Sequence, residues 1–237
     1  MIQVEGIFSG GSSISAPIIG EDFNWSGGDG TYQVLDDGGG NWRIKFLSSG
    51  TFTPLKNMVI DAFLVGGGGG AGSSYCGEGG AGYTTTVRSV VLTANTAYSI
   101  VVGAAGTNGN PSSAGGETTA FTASAAGGKN TSNGTSSSKR PGGAGGSGGA
   151  GYVSPVATTT GGTDGGDGTS SATTGGKGQG TTTREFGEAD GTLYASGGGS
   201  NLSATVANSG NGGRNGITSI APADGIVVIR QHKEVAA

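Results

Sequence analysis

The chain has 237 residues, of which 55 are glycine and only 12% are charged, and its formal net charge is −4. So small a net charge excludes disorder driven by charge, and the lack of a basic cluster excludes nucleic acid as a partner. A single cysteine excludes an intrachain disulfide and a cysteine zinc site. The opening segment MIQVEGIFSGGSS has no basic start and no apolar run, so we expect no signal peptide. No apolar stretch is long enough for membrane insertion.

The first 50 residues predict a β-hairpin. Trp42, Ile44 and Phe46 alternate with polar residues, which is the pattern of a half-buried strand. Residues 32–35 supply a partner strand, and the glycine-rich segment 36–41 supplies the turn. We therefore expect an N-terminal β region over residues 1–50, which attaches the protein to its partners.

Apolar segments predict four further strands around a glycine-rich middle. Segments 58–65, 83–92 and 98–102 are rich in β-branched and aromatic residues, and 226–230 is one more apolar strand near the end. Low-complexity disorder is the default for a Gly/Ser-rich composition, but a disordered tail would not be closed by such a strand. We expect one glycine-rich β domain over 51–230, followed by a tail at 231–237.

Glycines of the middle recur at every third residue in short runs. The runs occupy positions 66, 69 and 72; 103, 106 and 109; 142, 145, 148 and 151; 162, 165 and 168; and 210, 213 and 216. Period three is typical of an extended left-handed helix, and the interruptions and the six prolines exclude collagen. A lone rod cannot offset its ordering entropy, whereas a bundle hydrogen-bonded on several sides can. The pattern predicts a polyglycine II bundle clamped by β-strands, essentially without α-helix. It predicts one buried rod at 142–151 (GGAGGSGGAG).

Catalytic combinations are nearly absent from the sequence. His232 is the only histidine and lies in the tail, so nothing can activate Cys76 as a nucleophile. Two G-x-G-x-x-G matches, at 77–82 and 143–148, lack the strand and helix that a dinucleotide site needs. Glu185 with Glu188 is the one carboxylate pair that a hydrolase could use. We expect no enzyme, no cofactor and no metal.

Longer polar segments interrupt the glycine runs, at 73–76, 107–113, 129–141, 152–160 and 181–195. If the rods run up and down, these segments are turns at the ends of the bundle, where binding residues usually sit. The candidate receptor-binding residues are Tyr75, Lys139, Arg140, Tyr152, Phe186 and Tyr194. Their aromatic rings could stack on sugars, or they could cap the rods as small cores; the sequence leaves both readings open.

Residues 50–54 (GTFTP), followed by 59–65 and the glycines 66–70, resemble the opening of the glycine-rich domain common in bacteriophage tail and fibre proteins. The resemblance continues through GGAGY (79–83), TAYSIVVG (96–103), GGETTAF (115–121), AGG (126–128) and GIVVIR (225–230). It covers residues 50 to 230 and implies a β-sandwich with inserted polyglycine II rods. A similar domain occurs in the extracellular part of anaplastic lymphoma kinase, where it takes part in ligand binding.

The resemblance suggests a bacteriophage virion protein, made in the host cytoplasm and displayed as a tail-associated adhesin. Residues 1–50 would bind other virion proteins, and the rod-end loops would bind a host surface polysaccharide or protein. A homotrimer is one assembly that we consider. The alternatives are a capsid decoration or head-fibre protein without specific receptor binding, and a polysaccharide-degrading tail spike.

Overall fold

In the computed structural model, the residues described are 16–73, 75–133, 140–152, 160–169, 175–215 and 219–231. They contain ten β-strands, one 3-10 turn at Glu185–Gly187 and no α-helix. The strands are β1 (Phe23–Trp25), β2 (Tyr32–Gly38), β3 (Asn41–Phe46), β4 (Gly50–Pro54), β5 (Met58–Val65), β6 (Thr84–Leu92), β7 (Tyr98–Val101), β8 (Thr118–Ala120), β9 (Ala123–Ala125) and β10 (Ile226–Gln231).

The strands form two antiparallel five-stranded sheets. Sheet I has the order β1-β4-β7-β8-β9, and sheet II has the order β2-β3-β10-β5-β6. The last strand, β10, lies at the centre of sheet II between β3 and β5, so the end of the glycine-rich domain pairs with its beginning. The predicted all-β sandwich is confirmed.

The predicted N-terminal hairpin is also confirmed, with a tighter turn than expected. Tyr32 of β2 lies opposite Phe46 of β3, and the strands extend until only Gly39 and Gly40 remain between them. Because β3 also pairs with β10, and β1 with β4, strands from both sides of residue 50 share one sandwich. The predicted boundary at residue 50 therefore falls inside the fold. Segments 1–15 and 232–237, with His232, lie outside the described residues.

Aromatic side chains fill the space between the two sheets. Phe52 of sheet I lies at the centre, with its ring centroid 5.5 Å from Phe23 and 5.5 Å from Phe46. All three side chains are fully buried, and removing each from water contributes about 2–3 kcal/mol. This apolar core holds together the strand ends from which the glycine segments emerge.

The glycine segments pack as rods around a central rod at residues 66–72, which continues directly from β5. Six neighbouring segments exchange backbone hydrogen bonds with it: 77–83, 103–109, 113–116, 126–131, 209–214 and 220–225. Glycines three residues apart in this rod donate hydrogen bonds to the same neighbouring segment. Gly67 and Gly70 both donate to segment 113–116, each at 2.9 Å, and Gly66 and Gly69 both donate to 77–83. A threefold repeat of this kind, with six neighbours, is what the predicted polyglycine II bundle requires.

Segment 142–151 differs from the prediction, because it is two rods and not one. The chain bends at 145–147, and the Gly149 amide donates to the Gly143 carbonyl at 2.8 Å. Arg140 and Tyr152 then face each other in an antiparallel bridge. The prediction of one rod was wrong because glycine permits both a rod and a tight bend, and its period of three continues through the bend.

The run at 162, 165 and 168 folds back in the same way. Asp164 and Gly165 form a turn with positive φ values of 53° and 83°, and Thr169 donates to the Thr160 carbonyl at 2.8 Å. This run is therefore also a pair of short antiparallel rods. Gly216, in the last predicted run, lies outside the described residues.

Candidate binding sites at the two ends of the molecule

Chain connectivity divides the molecule into two ends. Rod 66–72 follows β5 directly and rod 77–82 leads into β6, so the turn between them lies at the far end of the rods. We call this end the rod tips. Strand β10 runs away from the rods and ends at Gln231, beside the β2–β3 turn. We call this opposite end of the sandwich the base.

At the rod tips, polar side chains form hydrogen bonds with backbone groups that neighbouring rods satisfy elsewhere in the bundle. The Asn108 carboxamide accepts from the Ala71 amide at 2.8 Å and donates to the Ile220 carbonyl at 2.9 Å. The Asn133 carboxamide oxygen accepts from the Ser73 amide at 2.7 Å. These side chains tie turns from distant parts of the sequence into one surface.

Three of the six predicted receptor-binding residues meet at the rod tips. The rings of Tyr75 and Tyr152 lie edge to face with centroids 5.8 Å apart, and Arg140 pairs with Tyr152 in the antiparallel bridge. Tyr75 is 42% exposed, and Arg140 Nε is buried without a hydrogen-bond partner among the described residues. We call Tyr75, Arg140 and Tyr152 the tip cluster. Lys139 lies outside the described residues.

Cys76 lies beside the tip cluster. Its thiol is buried and donates to the Gly72 carbonyl at 2.9 Å. Burial raises the pKa of the Cys76 thiol to about 11, so it remains protonated at neutral pH. Its role in the described structure is to pack and bond the rod end.

Phe186 and Tyr194 lie elsewhere, on the outer face of sheet II. Their ring centroids are 6.0 and 5.6 Å from the Phe63 ring, and the residues are only 2% and 6% exposed. Burial, followed by the Glu185 carboxylate, raises the pKa of the Tyr194 phenol. The sequence left open whether the candidate aromatic residues bind a ligand or form small cores. Phe186 and Tyr194 form a small core, because their rings are covered. Segment 181–195 therefore packs on the sandwich and not at the rod tips.

A row of charges crosses the outer face of sheet II beneath this segment. Strand register places Arg230 between Arg43 and Asp61, and the fully buried Asp61 accepts from Arg230 at 3.2 Å and from Arg88 at 3.1 Å. Sequence reasoning did not assign these residues to a site. The available signal was a charged residue inside the apolar segment 58–65, which marks one face of that strand as separate from the sandwich core.

Segment 185–192 covers part of this row and encloses a cleft of about 270 Å³ at the base. The charged residues that line it are Asp37, Arg43, Glu185, Glu188, Asp190 and Arg230. Arg43 donates to Glu185 at 2.7 Å, and Arg230 forms a two-pronged ion pair with Glu188 at 2.8 and 2.9 Å. The Arg230 guanidinium also lies 4.1 Å from the centre of the Phe186 ring.

Glu185 and Glu188 are the pair that a hydrolase would use. A glycosidase needs one of two carboxyl groups to offer a proton to the glycosidic oxygen. Here each carboxylate forms an ion pair with a guanidinium group. Their geometry holds segment 185–192 on the sheet and gives no support to hydrolysis.

Within the described ranges, no group of three histidine, cysteine, aspartate or glutamate residues is arranged to hold a metal ion. The same part of the chain contains no helix with the length and apolar character to cross a membrane. The described sites can therefore offer hydrogen bonds, ion pairs and ring contacts to a ligand.

A comparison with protein families and with curated proteins assigns the chain to a family. The family described as "Glycine-rich domain" matches residues 47–230, and no curated protein matches. The match starts directly after β3 and ends in β10, so it includes the rods and most strands of both sheets. Because this match covers well over half of the 237 residues, the chain belongs to the glycine-rich domain family.

Proposed function

We propose that the protein is a structural protein of a bacteriophage particle, a tail-associated adhesin that binds a host surface polysaccharide or protein through its rod tips. The observation that carries the proposal is the tip cluster, which stands at the far end of hydrogen-bonded rods. The resemblance of residues 50–230 to phage tail and fibre proteins supports the same function.

Chemistry at the tip cluster suits a carbohydrate. The C–H faces of sugar rings stack on aromatic side chains, and Tyr75 has an exposed ring held at 86° to that of Tyr152. Arg140 adds guanidinium donors for hydroxyl or carboxylate groups. Because the rods fix the positions of these residues, little ordering entropy is lost on binding.

The base is the end that we assign to attachment. Asp22 contacts the β4–β5 turn there, through an ion pair with Lys56 at 2.6 Å and a hydrogen bond from the Leu55 amide at 2.8 Å. Other virion proteins would bind at this end and leave the rod tips free to face the host. This arrangement agrees with the attachment role that we expect for residues 1–50.

Binding to susceptible cells tests the adhesin proposal. We expect purified protein to bind these cells and to reduce infection by competition, and Tyr75→Ala with Tyr152→Ala to lose both effects. Val206→Ala is the control, because Val206 is exposed and lies two residues from Asn208, which donates to the Leu47 carbonyl beside β3. Wild-type protein that neither binds nor competes would refute an adhesin. Immunogold labelling of the capsid instead of the tail would then support a decoration protein.

A further inference from the structure

The cleft at the base is a second site, separate from the tip cluster. It lies between the β2–β3 turn, the end of β10 and segment 185–192, at the opposite end of the sandwich from the rods. Drug-sized ligands usually occupy larger cavities than one of about 270 Å³. The cleft has room for one side chain and not for a folded segment.

Both guanidinium groups in the cleft are already engaged. Arg43 donates through Nε and one terminal nitrogen to Asp37, at 2.8 and 2.7 Å, and through the other to Glu185. Arg230 donates through Nε to Asp61 and through both terminal nitrogens to Glu188. Because every guanidinium nitrogen faces a carboxylate, an incoming anion would meet carboxylates next to each donor.

Charge in the cleft also disfavours an anion. Four carboxylates and two guanidinium groups line it, which leaves a formal charge of −2. Three further charged residues lie behind this lining: Asp61, Arg88 and Lys45. When they are included, the formal charge of the cleft is −1. The field at the cleft therefore attracts a cation.

Asp190 supplies a carboxylate at the rim of the cleft. It is exposed, and in the described ranges it forms no ion pair. The neighbouring Thr192 adds a hydroxyl group to the same wall. An entering group that donates hydrogen bonds would meet these acceptors first.

From the engaged donors, the negative charge and the small volume, we infer that the cleft binds the guanidinium or ammonium group of one arginine or lysine side chain from a partner protein. A planar guanidinium can form a two-pronged hydrogen bond with the Asp190 carboxylate. This inference does not depend on what the rod tips bind, so it stands or falls separately from the adhesin proposal.

NMR titration of the full chain with N-acetyl-arginine amide tests the site. The neutral isostere N-acetyl-citrulline amide is the control ligand, because it keeps the shape and removes the charge. We expect the arginine probe to shift the Trp42 indole and the Arg43 and Arg230 side-chain resonances, since all three residues line the cleft. We expect the citrulline probe to shift none of these resonances. Added salt should weaken binding of the arginine probe, because it screens the charges.

A pair of variants localises the contact. Asp190→Asn should weaken binding of the arginine probe by about fivefold, which is the effect of losing one partly exposed ion pair. Asp29→Asn removes the same charge near the rod-side end of β2 and should leave the affinity unchanged. Both residues are exposed, so overlaid amide spectra will show an intact fold.

Three results would overturn the inference. The first is equal binding of the arginine and citrulline probes, and the second is an equal effect of the two variants. The third is binding of free spermidine without binding of the arginine probe, because it would assign the cleft to a small polyamine and not to a protein side chain.

Discussion

Glycine is required in the rods because neighbouring backbones leave no room for a side-chain carbon. A Cβ atom on Gly68 would lie 1.9 Å from the Asn211 carbonyl oxygen and 2.5 Å from its carbonyl carbon. Both atoms belong to a backbone that is itself hydrogen-bonded in the bundle, so neither can move aside cheaply. The high glycine content of the rods is thus a direct consequence of how closely their backbones pack.

Replacing Gly68 with alanine should therefore destabilise the protein strongly. We expect Gly68→Ala to lower the free energy of unfolding by about 3 kcal/mol or more, the upper range for overpacking. Gly166→Ala is the control, because its Cβ would meet only the Thr163 carbonyl oxygen at 3.1 Å. Urea unfolding of the two variants measures the difference, and equal stabilities would contradict the close packing of the rods.

Glu78 is a half-buried carboxyl group near the rod tips. Its carboxylate accepts from the Asn215 amide at 2.7 Å, and Arg214 lies nearby. Burial nevertheless raises the pKa of Glu78 to about 7, because the charged form loses its hydration among the rods. The folded protein thus binds a proton here more tightly than the unfolded chain does.

Stability should consequently fall as the pH rises past the Glu78 titration. The contribution of the protonated group is fully present below pH 4.5, its ordinary pKa, and is lost as the pH rises through about 7. The shift corresponds to about 3 kcal/mol at most. Glu78→Gln keeps the oxygen that accepts from Asn215, so we expect it to be more stable than the wild type at pH 8 but not at pH 4.5. Guanidinium unfolding at the two pH values measures this, and identical pH profiles for the two proteins would exclude a raised pKa at Glu78.

At the level of elements, strands were easier to predict than rods. Strand β3 is recognisable because alternation of apolar and polar residues is a local property of 42–46. Segment 142–151 kept its period of three through a bend, so the sequence indicated the helix type but not where each rod ends. The hydrogen bond from Gly149 back to Gly143 and the bridge between Arg140 and Tyr152 distinguish two short rods from one long one.

An engineered disulfide distinguishes these two arrangements. Cα atoms of bridged residues lie about 4.5–5.5 Å apart, a spacing that a disulfide can span. Arg140→Cys with Tyr152→Cys, made in a Cys76→Ser background, should therefore oxidise to an intramolecular disulfide. In a single extended rod, the same positions would be about 37 Å apart and could not react within one chain. Non-reducing electrophoresis with mass spectrometry measures the product, and fully free thiols after oxidation would support the single rod.

The candidate sites show the same limit of sequence reasoning. Tyr75 and Tyr152 could be proposed for one surface because both follow glycine runs, and their positions at turns are local information. The pairing of Arg230 with Asp61 could not be proposed, because it joins residues 169 positions apart through the register of a central strand. Phe186 was assigned to a loop at the rod ends because its ring contact with Phe63 joins residues that are distant in the sequence.

In the whole molecule, a sandwich and a rod bundle stabilise each other. The sandwich core fixes the strand ends, and rods 66–72 and 77–83 continue from β5 and into β6 without a break, so they start in register with each other. The molecule therefore has a charged cleft at the base and the tip cluster at the rod tips. The proposed interaction at the tip cluster depends on the rods being as ordered as the strands.

Amide hydrogen exchange of the central rod tests that order most directly. Gly67 to Gly70 each donate a backbone hydrogen bond to a different residue of the bundle, at 2.8 to 2.9 Å. We therefore expect these amides to exchange as slowly as those of β5 and β10, at the rate set by global unfolding. Fast exchange of residues 67–70 beside a protected β5 would show a flexible glycine segment attached to a folded sandwich, and it would contradict the rod bundle.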